Sequence, residues 1–261
     1  MKLTHQTILI TGGTSGIGLG LARQLQQMTN TVIITGRSQS TVTALADSDP
    51  NLIGRTVDVS SLESVKSLKT WVTANYPNLN VVINSAGIMR PYDLLDDQLD
   101  ANNLTAEIQT NLIGTINMDK TFLTQLIAQP ESLIVNVSSG LANLSAASHP
   151  IYSATKAGVH MFTDALREQL DYAGDTHVHV MELVPPLVAE TNLESSITAD
   201  APNNMKLTDL VDEAVKGIES DSIRVNAGFA AQMRQAGQTN PDEAEHQMAR
   251  QMLSTYFPEG L

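Results

Sequence analysis

The chain has 261 residues, no cysteine, 42% hydrophobic composition and a formal net charge of −13. This excludes disulfides and thiolate metal sites, and it argues against nucleic-acid or anionic-membrane partners, both of which need clustered basic charge. No apolar run reaches the roughly 20 residues a membrane span requires, and residues 1–6 have no signal-peptide apolar core, so a cytoplasmic protein without a membrane partner is expected.

In chain order, Thr7-Ile8-Leu9-Ile10-Thr11 is a short apolar run closed by glycines, the pattern of a buried parallel strand. It feeds Thr11-Gly12-Gly13-Thr14-Ser15-Gly16-Ile17-Gly18, with spacing G-x-x-x-G-x-G, and then a helix carrying Leu19, Leu21, Ala22, Leu25 and Met28. Such glycines permit a tight turn and close backbone approach, and the following helix offers free N–H groups to a pyrophosphate. A plain glycine-rich turn is the alternative. A second strand over residues 31–35 ends at Gly36-Arg37. Helices near 39–46 and over 62–75 alternate with strands near 52–57 and over 80–84, the last running into Ser85-Ala86-Gly87. A long helical region over 103–128 precedes a strand at 132–137. The helix of Tyr152 and a strand near 177–184 follow, closed by Pro185-Pro186, which cannot donate to a ladder. Residues 190–206 read as a loop with a short helix, 207–218 as a helix, 223–225 as a short strand and 241–253 as a final helix. This alternation predicts an α/β chain: one Rossmann-like, doubly wound parallel sheet of about seven strands with helices on both faces. All 261 residues form a single domain in this reading, and ligands are expected at the carboxyl ends of the strands.

Tyr152-Ser153-Ala154-Thr155-Lys156 places a phenol and an ammonium four residues apart, on one face of a helix. Pro150 suits the helix start, and Val159, Phe162, Leu166 and Leu170 continue an apolar stripe. The nearby cation is expected to lower the tyrosine's pKa towards the working range of an acid–base group. Two exposed polar residues on an ordinary helix are the bland alternative. His177 and His179 form an H-x-H pair without a further ligand, so no metal is expected.

Thr11–Gly18, Asn84-Ser85-Ala86-Gly87, Ser139 and Tyr152–Lys156, in this order and spacing, resemble the single-domain short-chain dehydrogenase/reductase family over about residues 7–191. Residues 1–18, Arg90-Pro91-Tyr92-Asp93-Leu94-Leu95 and Pro185-Pro186-Leu187-Val188 also resemble its bacterial DltE-like subgroup. The resemblance implies an oxidoreductase moving hydride between a nicotinamide and a carbonyl or alcohol carbon. Gly12, Thr14, Ser15, Gly16, Ile17 and Gly18 would hold the dinucleotide, and Asn84, Ala86 and Gly87 would frame its ribose. Asp58, with the Val59 N–H, would bind the adenine amino group; a helix N-cap is the rival role, open also to Ser60 or Ser61. An acidic residue after the second strand would repel a 2′-phosphate. Here Gly36 is followed by Arg37, which can clamp one, and by Ser38, so NADP(H) is preferred and NAD(H) stays possible. A solvated Arg37 is the alternative, and Ser15 stands where many NADP-preferring relatives carry a second basic residue.

By the same resemblance, Tyr152 is the proton donor, Lys156 binds the nicotinamide ribose and Ser139 holds the substrate oxygen. The Asn111 carbonyl would hold a water linked to Lys156. Pro185, Val188 and Thr191 match the segment at the carboxamide end, with Pro186 in place of the usual glycine. Residues 89–97, 141–148 and 189–206 would surround the substrate. Their aliphatic character (Leu94, Leu95, Leu141, Leu144, Leu193, Ile197, with Ile151 beside them) favours a neutral or apolar carbonyl compound. The long helices suit a homodimer or homotetramer. A catalytically silent NADP-binding sensor is the competing reading; a sugar-nucleotide epimerase would need more chain after Thr191.

Overall fold

Runs such as Ile8-Leu9-Ile10 and Val81-Val82-Ile83 are apolar at every position because helices cover both faces of the strands they form. The structure, a computed structural model, describes residues 1–191, 193 and 203–261. Seven parallel strands, β1 (Thr7–Thr11), β2 (Thr31–Gly36), β3 (Leu52–Thr56), β4 (Val81–Asn84), β5 (Ser132–Val137), β6 (Val178–Val184) and β7 (Arg224–Asn226), lie in the order β3-β2-β1-β4-β5-β6-β7. The Rossmann-like architecture expected from the alternation is present.

One face of the sheet, with Ile8, Ile10, Ile83, Val135 and Leu183, packs on α1 (Gly16–Gln27) and α7 (Leu207–Glu219) through Leu21, Leu25, Leu210 and Val211. The other, with Leu9, Ile33, Val82, Ile134 and Val180, meets α3 (Leu62–Asn75), α5 (Gly114–Ile127) and α6 (Pro150–Ala173) through Leu68, Phe122 and Leu166. α2 (Gln39–Ser48) covers β2 and β3 near the sheet edge. The strand order reverses between β1 and β4, which opens a crevice at their carboxyl ends.

Two segments depart from expectation. The helical region over 103–128 is not one α-helix. A 3₁₀ turn (Ala101–Leu104) leads into α4 (Thr105–Glu107), a widened π turn (Ile108–Ile113) and then α5. In the π turn the Gly114 N–H reaches back to the Gln109 carbonyl. Asn111 sits inside this turn, where its side chain bonds outside the helix: Nδ2 donates to Ile88 O (2.9 Å) and Thr155 Oγ1 (3.1 Å), and Oδ1 accepts from Ile88 N (2.8 Å). Tertiary bonds of this kind stabilise a widened turn against the regular α repeat. The second departure is α8 (Ala230–Thr239), hidden in the sequence because only Ala230 and Met233 of it are buried. α9 (Pro241–Tyr256) follows it after a single residue.

The apolar strands end on a polar rung. Thr11, Asn84, Asn136 and Glu182 are in register across β1, β4, β5 and β6, all are buried, and Arg224 of β7 is aligned next to Glu182. Asn84 Nδ2 donates to Asp119 Oδ1 (2.6 Å) and Asn136 Oδ1 (2.8 Å), while Asn136 Nδ2 donates to Asp119 Oδ2 (2.8 Å) and Thr163 Oγ1 (3.1 Å). Among the described residues, no helix is long and apolar enough to cross a membrane.

Burial pushes the Asp119 carboxyl up to about 7, against the pull of its two asparagine donors. The folded value exceeds the ordinary one of 3.8, so its protonated form stabilises the fold. That contribution is complete below the ordinary value and is lost as pH rises through the folded one. Asp119→Asn replaces an acceptor with a donor facing Asn136 and should cost roughly 1–3 kcal/mol. Melting curves should show the wild type's advantage over this variant shrinking between about pH 4 and pH 7.5. A gap independent of pH contradicts the assignment.

Candidate active site

The crevice is built from the exits of β1 and β4. Thr11 Oγ1 accepts the N–H groups of Ser85 (3.1 Å) and Ala86 (3.2 Å), which draws the two strand ends together. Gly12, at φ +63°, leaves no room for a side chain: a Cβ there would lie 2.8 Å from Ala86 Cα. A Cβ on Gly18 would lie 2.4 Å from the Gly12 carbonyl oxygen. Ser15 caps α1 in an extended conformation with no side-chain cap bond, and the first turn of α1 contains no acidic residue. The early N–H groups of that helix lack intrahelical acceptors, so with Thr14, Gly16 and Ile17 the turn forms an anion cradle. Thr191 stands over it, 3.0 Å from where a Gly16 Cβ would be, with its hydroxyl donating to Val188 O (2.8 Å). Val188 itself is buried in the core, and Pro185 O accepts from Gly140 N (2.9 Å).

At the end of β2, Arg37 is exposed and makes no ion pair or side-chain hydrogen bond among the described residues. Ser38 caps α2, accepting from Thr41 N (3.3 Å) and Thr41 Oγ1 (3.0 Å). Asp58 Oδ1 accepts from Ser60 N (3.0 Å) and Ser60 Oγ (2.6 Å), while Ser61 caps α3, so the cap role left open by the sequence falls to Ser61. Val59 is buried, and its carbonyl accepts from Asn117 Nδ2 (3.1 Å). The Asn84 side chain is held in the Asp119 network.

Pro150 opens α6 at its first turn and puts Tyr152 and Lys156 at the crevice mouth. Both are buried, as are Ser139 and Asn111. Lys156 Nζ donates to Val137 O (2.8 Å), lies 5.5 Å from the Tyr152 ring centre and is 3.7 Å from where a Gly87 Cβ would be. That same Gly87 position is 3.4 Å from Asn111 Oδ1. The Asn111 carbonyl accepts the Thr115 hydroxyl (2.8 Å). Ser139 Oγ accepts from Leu141 N (3.2 Å) and faces the phenol. The structure thus brings together the four residues expected to be catalytic, with Gly87 next to Lys156 and Asn111.

One electrostatic expectation is overturned. The Tyr152 phenol is not lowered but pushed up to about 12, first by burial and also by the Glu107 charge, with the Ser139 hydroxyl pulling the other way. Burial likewise lowers the Lys156 ammonium to about 8, opposed by Glu182. Removing both groups from water favours their neutral forms.

The sequence reading missed Glu107, Glu182 and Arg224. Glu107 lies one turn before Asn111, is fully buried, accepts from Arg90 N (3.2 Å) through Oε1, and leaves Oε2 without a partner among the described residues. A charged residue inside Val-His-Val-Met-Glu-Leu-Val was the available signal for Glu182. The substrate side is also more elaborate than expected. α8 and α9 brace the 140–149 loop: Glu245 Oε1 accepts from Ser145 N (2.9 Å), and Tyr256 meets His149 edge-on at 4.6 Å. Leu144 is buried there, Leu94, Leu95 and Leu193 are exposed, and Leu141 and Ile151 are half-buried. Ile197 and most of the 189–206 loop lie outside the described residues.

Gly18→Ala should open the turn and lower stability by roughly 1–3 kcal/mol, as overpacking does. Urea denaturation checks this; an unchanged midpoint contradicts the close approach.

Residues 6–202 match the family described as short chain dehydrogenase. The chain is 40% identical over 188 residues to the uncharacterized oxidoreductase DltE of Bacillus subtilis (strain 168), covering 72% of this chain and 73% of that protein. It is 30% identical over 193 residues to an NADP-dependent 3-hydroxy acid dehydrogenase of Schizosaccharomyces pombe, with 72% and 73% covered. A short chain dehydrogenase from Burkholderia cenocepacia J2315, solved in complex with NADP, superposes with a TM-score of 0.81 at 23% identity, covering 95% of this chain and 99% of that one, and so shares the fold. The chain belongs to the short-chain dehydrogenase/reductase family of oxidoreductases, in its DltE-like subgroup.

Proposed function

We propose that this protein is an NADP(H)-dependent reductase that interconverts a carbonyl and an alcohol by hydride transfer, with Tyr152 as general acid/base. The observation that carries it is the convergence of buried Tyr152, Lys156, Ser139 and Asn111 beside the glycine-lined crevice. The cradle fits a dinucleotide, because the free N–H groups at the start of α1, with no acidic residue in its first turn, suit a pyrophosphate. Gly12–Gly18 would hold that group, and Arg37 with Ser38 would hold a 2′-phosphate. Asp58 and Val59 would hold the adenine, Ala86, Gly87 and the Asn84 main chain a ribose, Lys156 the nicotinamide ribose, and Pro185, Val188 and Thr191 the carboxamide end. Arg37, unpaired among the described residues, and the NADP-dependent relative support the 2′-phosphate. When bound, the cofactor supplies or accepts the hydride.

The protein's own part is placement and proton transfer. In the reductive direction the Tyr152 hydroxyl donates its proton to the carbonyl oxygen while Ser139 Oγ hydrogen-bonds that oxygen and stabilises the charge developing on it. A phenol held at about 12 is fully protonated at neutral pH, the state this step consumes. Lys156 keeps a positive charge under the phenol as it becomes phenolate. Asn111 would support proton resupply through its carbonyl, which accepts the Thr115 hydroxyl and would also hold a water on the path to Lys156.

NADPH consumption across a panel of aldehydes and ketones tests this reading. Tyr152→Phe should lower kcat by about 10²–10⁴-fold while NADPH affinity stays within a few-fold. Wild-type protein that binds NADPH but turns over nothing on the panel favours the sensor reading instead. Arg37→Asp should reverse cofactor preference, with kcat/KM for NADPH falling by about tenfold or more as a charge-assisted contact is lost. An unchanged NADPH/NADH ratio removes Arg37 from the site.

A further inference from the structure

Beneath the catalytic end of α6 lies a second set of charges that the hydride-transfer reading does not use. Tyr152, Lys156, His160 and Asp164 follow one another at four-residue spacing, so they form a single polar stripe along the helix. Facing the stripe is Glu182 of β6, fully buried. Its Oε1 accepts the Ser138 hydroxyl, and its Oε2 accepts from His160 Nδ1 (2.8 Å) and Arg224 Nε (2.5 Å). Arg224 in turn grips both oxygens of Asp164 (2.6 Å each), which also pairs with Arg167 (2.8 Å). His160, Asp164 and Glu182 are close enough to ligate a cation, but the Arg224 guanidinium already bridges the two carboxylates.

We propose that Glu182 is a positioning residue for the active site: it anchors Ser138, so that the neighbouring Ser139 faces Tyr152, and it supplies the buried counter-charge that keeps the Lys156 ammonium protonated. The inference rests on the proposed role of Lys156 in that site. Ser138 and Val137 are consecutive, so the same strand end carries both the anchor to Glu182 and the carbonyl that accepts from Lys156 Nζ. The charged and titratable groups around Lys156 are Tyr152 and His160 on its own helix, Glu182 on β6, Arg224 on β7 acting through Glu182, and Glu107, whose charge reaches Tyr152. Glu182 opposes the burial that draws Lys156 down. Three donors hold Glu182 itself down to about 2 despite burial, so it stays negative throughout the range in which Lys156 titrates.

The test reads Lys156 directly, without cofactor or turnover. Its Cε resonance is followed by carbon-13 NMR as a function of pH in the ligand-free protein and assigned by its loss in Lys156→Met. The wild-type midpoint should stand near the value of about 8 that burial sets. Glu182→Gln should move it down by about one unit, the scale of a nearby charge. Arg224→Gln, which removes a like charge and frees Glu182, should move it up. A merely structural role predicts lower melting temperatures for both variants with no movement, or movement in the same direction; either result overturns the inference. If Glu182→Gln does not fold, the direction of the Arg224→Gln shift alone decides it. In carbonyl reduction, Glu182→Gln should lower kcat more than it raises KM, with partial rescue by Glu182→Asp. Should the wild type show no turnover at all, the proposed reaction fails while the NMR titration still settles the role of Glu182.

Discussion

A lysine ammonium taken out of water at the edge of a parallel sheet is the constraint around which this molecule is arranged. Lys156 Nζ has a main-chain acceptor in Val137 and a carboxylate beyond it in Glu182, and both come from strand ends that the sheet order places side by side. An isolated buried cation is costly, and it persists only where fixed acceptors replace its hydration. The polar rung of Thr11, Asn84, Asn136 and Glu182 provides such a setting. Below it the central strands β1, β4, β5 and β6 are largely apolar and covered; at it the core turns polar, and the crevice begins.

The same burial governs the chemistry. It holds the phenol up to about 12 and draws the ammonium down to about 8, so at neutral pH Tyr152 is a neutral phenol while most of Lys156 still carries its charge. Opposing carboxylates adjust the two ends separately. Glu107, on the side of the Arg90–Tyr92 segment, disfavours phenolate, while Glu182, on the side of the sheet, favours the ammonium. The acid–base pair is therefore set first by burial and then adjusted by two buried acids from different elements.

Much of this architecture was legible in the residues. The strand–helix alternation placed the seven strands to within a residue or two, most readily the central ones, because strands covered on both faces have little compositional freedom. Tyr152 and Lys156 could be paired because helical spacing is local, and the glycine turn because its close approaches tolerate no side chain. What could not be read depended on contacts far apart in the chain. The widened turn at Asn111 is held by Ile88 and Thr155, 23 and 44 residues away. The direction of the Tyr152 shift depends on burial depth, which no spacing reveals. α8 buries too little apolar surface to write a stripe, and the partners of Glu182, His160 and Arg224, lie 22 and 42 residues away.

The most direct test of the central claim is a crystal structure of the protein with bound NADP⁺. The account predicts the pyrophosphate on the Gly12–Gly18 turn, the nicotinamide ring facing the Tyr152 hydroxyl, and Lys156 Nζ within hydrogen-bonding distance of the adjoining ribose. A nicotinamide turned away from Tyr152, or a ribose out of reach of Lys156, would contradict it.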